Sequence, residues 1–193
     1  MQYAEATGKL NSYRQQIAEI RSAMRKVQSG IEPHEVSDYN FKTILGEVSL
    51  SSLFGGKDDL FVIHNMGTSC AYCTLWADGY NGAYDHLANR AAFVISSPDT
   101  PDVQKRFAEK RGWGFPMVSH QGSAFAADMG YRTAKGSFLP GVSVFQRRSG
   151  KIFRVSDSQL GPGDDFCAAW HLFDLLPEGA NGWQPKFSYA QED

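Results

Sequence analysis

The chain has 193 residues, 42% of them hydrophobic and 21% charged, the proportions of a soluble globular protein with one well-buried domain and room for an appendage. Its 19 basic and 21 acidic residues leave a formal net charge of −2, with no basic stripe to hold phosphates and no acidic tail, so nucleic acid and anionic membrane are poor partners. No apolar run approaches the ~18 residues that span a bilayer, and Met1 to Thr7 lack the order of a secretory signal, which makes the cytoplasm the expected location.

From Tyr3 to Val27 apolar residues alternate at spacings of three and four, through Leu10, Tyr13, Ile17, Ile20 and Met24. One stripe along a helix follows, ending at Ser29-Gly30. It fits either a seam pairing two copies of the chain or an amphipathic helix packed on its own domain. Glu32-Pro33-His34 reads as a linker, so residues 1–37 form an N-terminal helix and linker, and residues 38–193 the main domain.

The main domain opens with a strand around Phe41, a turn near Gly46, a second extended piece and a helical turn at Ser51 to Phe54. Leu60-Phe61-Val62-Ile63 is a buried strand, Gly67-Thr68-Ser69 a turn, and Cys70-Ala71-Tyr72-Cys73 the start of a helix. Gly79 and Gly82 predict a kink in that helix. Ala91 to Ser96 is the next strand, and Thr100-Pro101 starts a helix, with the threonine hydroxyl as cap, that stops at Gly112. A short strand at Phe115 to Ser119, a short helix at Ser123 to Met129 and a hairpin of Val142 to Phe145 with Lys151 to Val155 follow. The last helix is expected from Asp164 to Leu176, with Phe166, Ala169, Trp170, Phe173 and Leu176 on its core face, and the chain beyond Pro177 as a surface wrap. Strands alternating with helices imply a parallel core with right-handed crossovers, closed by an antiparallel edge.

Chemistry concentrates at the cysteine pair. Unpaired N–H groups and the positive end of the helix dipole favour a thiolate at Cys70, and the two-residue spacing lets Cys73 close an internal disulfide that expels a bound partner. Zinc would need two further ligands that no second cysteine pair supplies, so no metal and no prosthetic cofactor are expected. Cys167 falls off the predicted core face with His171 and Asp174 and reads as a bystander thiol or, second, as an intermolecular or resolving cysteine. Trp76, Tyr80 and Trp113 read as core aromatics rather than as a substrate groove.

The element order, with a cysteine pair between central strand and helix, resembles the thioredoxin fold. The approach from Phe41 through Gly46-Glu47-Val48-Ser49-Leu50 to Gly56-Lys57 resembles its peroxiredoxin-like and periplasmic-reductase-like branch. HNMGTSCAYCTLWADGYNG (His64 to Gly82), GWGFPMVS (Gly112 to Ser119) and WHLFDLLPEGANGWQP (Trp170 to Pro185) resemble more specifically the domain-of-unknown-function family 899, described as predicted dithiol-disulfide oxidoreductases. The resemblance covers roughly residues 38–183. It implies an α/β fold with a mixed central sheet flanked by helices, to which the N-terminal amphipathic helix is added.

The resemblance also implies an enzyme that exchanges its CxxC dithiol with a disulfide or dithiol substrate and is recycled by an external thiol reductant. By position Pro140 matches the cis-proline that thioredoxin-like proteins set against the cysteines, with the backbone of Leu139 turned toward the sulfurs to pair with substrate; the alternative is a trans proline that opens an edge strand. His64 stands six residues before Cys70, where thioredoxins carry a buried Asp that helps deprotonate the second cysteine. It reads either as that base or as a core histidine bonded to backbone. Ala71-Tyr72 between the cysteines resembles glutaredoxin-like pairs more than thioredoxin ones. A peroxiredoxin-like thiol peroxidase is the alternative, although the threonine and proline that such enzymes place three and six residues before their cysteine are Gly67 and His64 here. A binding module that merely retains the fold is the third reading.

Overall fold

The computed structural model describes residues 1–189. Two units emerge, Met1 to His34 and the chain from Glu35 onward. The first is helix α1 (Tyr3–Ser29), unbroken across Gly8, with Gly30 at its C-cap.

In the second unit an eight-stranded mixed sheet organises the chain. In sequence order its strands are β1 (His34–Val36), β2 (Asn40–Thr43), β3 (Gly46–Ser49), β4 (Asp59–His64), β5 (Ala92–Ser97), β6 (Met117–Ser119), β7 (Gly141–Arg148) and β8 (Lys151–Gln159). Their spatial order is β1-β8-β7-β4-β5-β6-β2-β3. The pairs β4–β5 and β5–β6 are parallel, joined through helix α3 (Ala71–Arg90) and helix α4 (Pro101–Arg111). All other registered pairs are antiparallel, including the β2–β3 hairpin and the β7–β8 hairpin. Both hairpins were legible from their turns. Ser149 and Gly150 take positive φ, the geometry that a two-residue turn between twisted strands demands.

Period-two alternation divides the core between the two faces of the sheet. Leu60, Val62, Val94 and Phe145 point into one cluster, with Phe41, Phe125 and Tyr131, beside short helices α2 (Leu50–Leu53) and α5 (Phe125–Asp128). Ile63, Phe93, Ile95 and Val142 point into the other, with Cys73, Trp76, Trp113 and Trp170. The second face is thus covered by α3 and by α6 (Ala168–Phe173).

Three expectations need correction. Helix α3 runs through Gly79 and Gly82 without a break, because its packed residues Trp76, Ala77 and Tyr80 hold it to the core and outweigh the ~1 kcal/mol that each glycine costs. Thr100 is the N-cap of α4, yet its hydroxyl makes no capping bond. The buried residue of α4 is Gln104, whose amide donates to Ser97 Oγ and the Val118 carbonyl. The last helix is only six residues long, because the Asp164 carboxylate accepts from the N–H groups of Gly161 and Phe166 and folds that stretch into a turn. Phe166 and Leu176 are consequently exposed, while Trp170 packs on Phe173 and Trp183. Among the described residues no helix is long and apolar enough to cross a membrane.

Candidate active site at the dithiol

Strand β4 ends at His64, and the next six residues turn the chain into α3. That turn is built, not slack. The Asn65 side chain accepts from Gly67 N at 2.8 Å, which closes a local turn. Gly67 sits at φ 107°, a conformation that side chains rarely adopt, and the Asp99 carboxylate lies 3.0 Å from where its Cβ would be. Asp99 Oδ2 then accepts from Thr68 N at 2.9 Å. Asn65 and Asp99 therefore hold the cysteine loop to the ends of β4 and β5. The Asn-x-Gly spacing was a readable signal for the first, whereas Asp99, 31 residues from Thr68, had none.

Cys70 is the N-cap residue of α3, with extended φ and ψ, and its Sγ accepts from Cys73 N at 3.0 Å. The sulfur thus takes the place of the oxygen of an ordinary capping side chain. Its pKa is lowered to about 7, chiefly by the hydrogen bond from the Cys73 thiol and further by the backbone N–H groups of Cys73 and Tyr72, against the opposing effect of burial. Cys73 behaves in the opposite sense. It is buried, and its thiol is held well above the ordinary range, first by its hydrogen bond to Cys70 and then by desolvation. Met66 N donates to Cys73 Sγ at 3.4 Å. Of the two sulfurs the half-buried Cys70 is thus the one on which a thiolate is favoured. All three cysteines are in the free form.

Around the sulfurs stand aromatic rings. Tyr72 lies 6.2 Å from Trp170 and 6.3 Å from Trp76, centroid to centroid, and it packs partly buried in the same cluster as both cysteines. Trp76 and Trp113 are core, as their spacing suggested, and Trp113 Nε1 donates to Asp78 at 2.8 Å. Cys167 departs from expectation. It is buried in the cluster that contains Cys73, because the shortened α6 begins one residue later and turns the thiol inward. Burial raises its pKa, so it is a poor nucleophile there.

His64 is turned away from the thiols. Alternation along β4 places it on the face of Leu60 and Val62, opposite Ile63 and Cys73. There its ring stacks on Tyr131 at 3.9 Å and on Phe125 at 5.3 Å, and Nε2 pairs with Ser143 Oγ at 2.9 Å. Burial, followed by electrostatic repulsion from His120 and Arg154, holds its pKa well below the usual value and keeps the imidazole neutral. The structure thus makes His64 a core residue. It bonds to a side chain rather than to backbone.

Pro140 precedes β7, one step beyond the registered pair His64–Gly141, and so lies at the sheet end where the cysteine loop begins. The Leu139–Pro140 bond is trans, not cis. Leu139 N already donates to the Tyr131 carbonyl and the Pro140 carbonyl accepts from Leu160, so both groups are used within the fold rather than offered to a substrate strand. The adjacent Gly141 is required by packing: a Cβ there would stand 1.9 Å from the Tyr131 ring.

A pocket of about 230 Å³ lined by Ile44, Gln104, Lys105, Trp113, Phe115 and Met117 contains neither cysteine. No group of three or more His, Cys, Asp or Glu side chains is gathered in a metal-binding arrangement among the described residues.

Residues 5–192 match the family model described as "Bacterial protein of unknown function (DUF899)". No curated protein matches the chain in sequence. Solved structures resemble it in fold. Peroxidoxin BcpB from Mycobacterium tuberculosis matches with TM-score 0.56 and 22% identity, over 66% of this chain and 84% of that one. The bacterioferritin comigratory protein of Xanthomonas campestris gives 0.53 and 15%, over 62% and 79%. Reduced Prx3 from Vibrio vulnificus gives 0.54 and 13%, over 69% and 89%. At these identities the likeness establishes a thioredoxin-like fold of the peroxiredoxin kind.

Proposed function

The chain belongs to the DUF899 family of bacterial proteins, and from that premise we propose that it is a thiol-disulfide oxidoreductase with Cys70 as nucleophile and Cys73 as resolving thiol. The observation that carries this reading is the geometry of the pair at one helix N-terminus: Cys70 Sγ caps α3 and accepts from Cys73 N at 3.0 Å, while Cys73 is buried with Met66 N aimed at its sulfur. That arrangement lowers the pKa of the first thiol and raises that of the second.

The steps follow from that arrangement. The Cys70 thiolate attacks one sulfur of a substrate disulfide, forms a mixed disulfide and releases the other sulfur as a thiolate that takes a proton from solvent. Once Cys70 is in the mixed disulfide it no longer accepts the Cys73 proton, so the largest cause holding Cys73 protonated is gone. Met66 N, aimed at Cys73 Sγ, favours the resulting anion. Cys73 loses its proton to solvent and attacks Cys70 Sγ, which closes the internal disulfide and frees the reduced substrate. An external dithiol returns the pair to its starting state. Run in reverse, the same steps oxidise a substrate dithiol. No histidine is needed, in keeping with the position of His64. A reducing compartment such as the cytoplasm keeps the pair in the form that attacks disulfides.

The likeness to peroxiredoxin folds supports a second reading, reduction of a hydroperoxide. Cys70 thiolate would attack the outer oxygen, giving a sulfenic acid and an alcohol, and Cys73 would displace water to form the same disulfide.

The test sets reduction of a generic protein disulfide beside hydroperoxide consumption, both with a thiol donor, for the native protein, Cys70→Ser and Cys73→Ser. Exchange predicts activity lost in Cys70→Ser and a trapped mixed disulfide in Cys73→Ser. Fast peroxide consumption with negligible exchange selects the second reading. Failure of Cys70 and Cys73 to form a reversible disulfide in glutathione buffers overturns both.

A further inference from the structure

Helix α1 takes no part in the dithiol chemistry, yet its sequence is the most regular in the chain. At 27 residues it is about 40 Å long. Taken by itself it buries none of its residues. Gly8, Asn11 and Ser12 are weak helix formers, and a lone helix of this kind is marginal in water, so it needs a surface to pack on.

The apolar stripe identifies that surface. Tyr3, Leu10, Ile17 and Met24 occupy position a of a heptad, and Ala6, Tyr13, Ile20 and Val27 position d, without a skip. This is a strict two-in-seven seam, narrower than the apolar face with which a helix lies on a membrane or covers a globular core. We propose that α1 pairs with α1 of a second copy of this chain as an antiparallel coiled coil.

The direction follows from charge and volume. An antiparallel seam whose layers join residue numbers adding to 30 places Tyr13 against Ile17 of the second copy, Leu10 against Ile20, Ala6 against Met24 and Tyr3 against Val27. Every layer is apolar, and the smallest residue meets one of the longest. At the edges of a parallel pair Lys9 would face Arg14 of the second copy twice. The antiparallel pair leaves one such contact, Arg14 with its own equivalent at the centre, where Arg14 already donates to Asn11 Oδ1 at 2.7 Å. A single exposed like-charge contact is a small term against eight apolar side chains per helix. Apart from the half-buried Ala6, the seam residues are roughly half to nearly fully exposed, from 47% for Ile17 to 88% for Tyr3. Covering them in both helices removes on the order of 1,500 Å² from water, the size of a standard stable interface.

The test uses the full chain. Sedimentation at about 50 μM, well above the dissociation constants common for interfaces of this size, is expected to give twice the 21.4 kDa of one chain. Ile17→Asp with Ile20→Asp buries unpaired charge in the seam and should weaken the dimer by at least ~100-fold, giving a monomer. The Cys70–Cys73 potential of that variant should be unchanged, which shows that the main domain is folded. Direction is read by mixing Tyr13→Cys and Ile17→Cys chains, each in a background with Cys70, Cys73 and Cys167 replaced by Ser. The antiparallel seam predicts cross-links between the two different variants in preference to either with itself. A monomeric native protein, a dimer that survives Ile17→Asp/Ile20→Asp, preferred 13-to-13 cross-links, or a monomer that pellets with phosphatidylserine vesicles would each overturn the proposal.

Discussion

Replacing Cys73 by alanine isolates the interaction on which the proposed chemistry turns. It removes the thiol that donates to Cys70 and leaves the backbone N–H of residue 73 in place, 3.0 Å from Cys70 Sγ in the native protein. The depression of Cys70 from 9.0 to about 7 corresponds to roughly 2.7 kcal/mol between its two protonation states. Its largest cause is the lost thiol, and solvent screens part of the effect at a half-buried site, so a rise of about one unit is expected. At pH 7 the thiolate fraction then falls from about one half to about one tenth, while the more basic sulfur becomes about threefold more nucleophilic. The net loss in alkylation rate is about twofold. At pH 10, where both proteins are fully ionised, the order inverts and Cys73→Ala reacts about threefold faster. The assay is the rate of iodoacetamide labelling from pH 5 to 10, with Cys167 replaced by Ser in both proteins. Superimposable profiles, or a native midpoint at 8.5 or above, would refute the reasoning.

The same acidities make the stability of the reduced protein depend on pH. Folded Cys70 ionises near 7 and unfolded cysteine near 9, so relative to Cys70→Ser/Cys73→Ser the native protein should gain about 1 kcal/mol between pH 7 and 9 in urea unfolding. That contribution is lost as pH falls through 7. Above 9 the trend should reverse, since unfolded Cys73 ionises and folded Cys73 does not; a steady rise to pH 10 would contradict it. His64→Ala empties the space between Tyr131 and Phe125 and is expected to cost about 3 kcal/mol, while the Cys70 labelling profile stays in place. A shifted profile would return His64 to the site. Gly141→Ala drives a methyl into the Tyr131 ring, and a cost of about 3 kcal/mol should lower the melting temperature by about 6–12 °C. A change within about 2 °C would mean that the ring moves aside freely.

Much of this molecule is local, and what is local was legible. Helix α1, both hairpins, the buried strands β4 and β5 and the start of α3 at Cys70 follow from periodicity, turn residues and capping. The character of Cys70 follows as well, since a sulfur at a helix N-terminus is stabilised by groups within four residues of it.

The misreadings share a cause. The expected kink in α3 weighed two glycines without the core that holds the helix. The long final helix ignored the competing turn that Asp164 builds by bonding two backbone N–H groups. The place of Cys167, like the choice between the two readings of His64, depended on which face of the sheet or of a helix is covered, and by what. Asp99 acts on a loop 31 residues away and is invisible without the β4–β5 pairing.

The sequence by itself therefore determined that a cysteine pair opens α3 and that Cys70 caps that helix, because those are properties of one helix end. Only the tertiary structure decided what surrounds them: that Cys73 is buried beneath Cys70, that Pro140 enters β7 through a trans bond, and that His64 belongs to the opposite face. Burial and alternation across a sheet are set by contacts between distant segments, and spacing along the chain does not encode them.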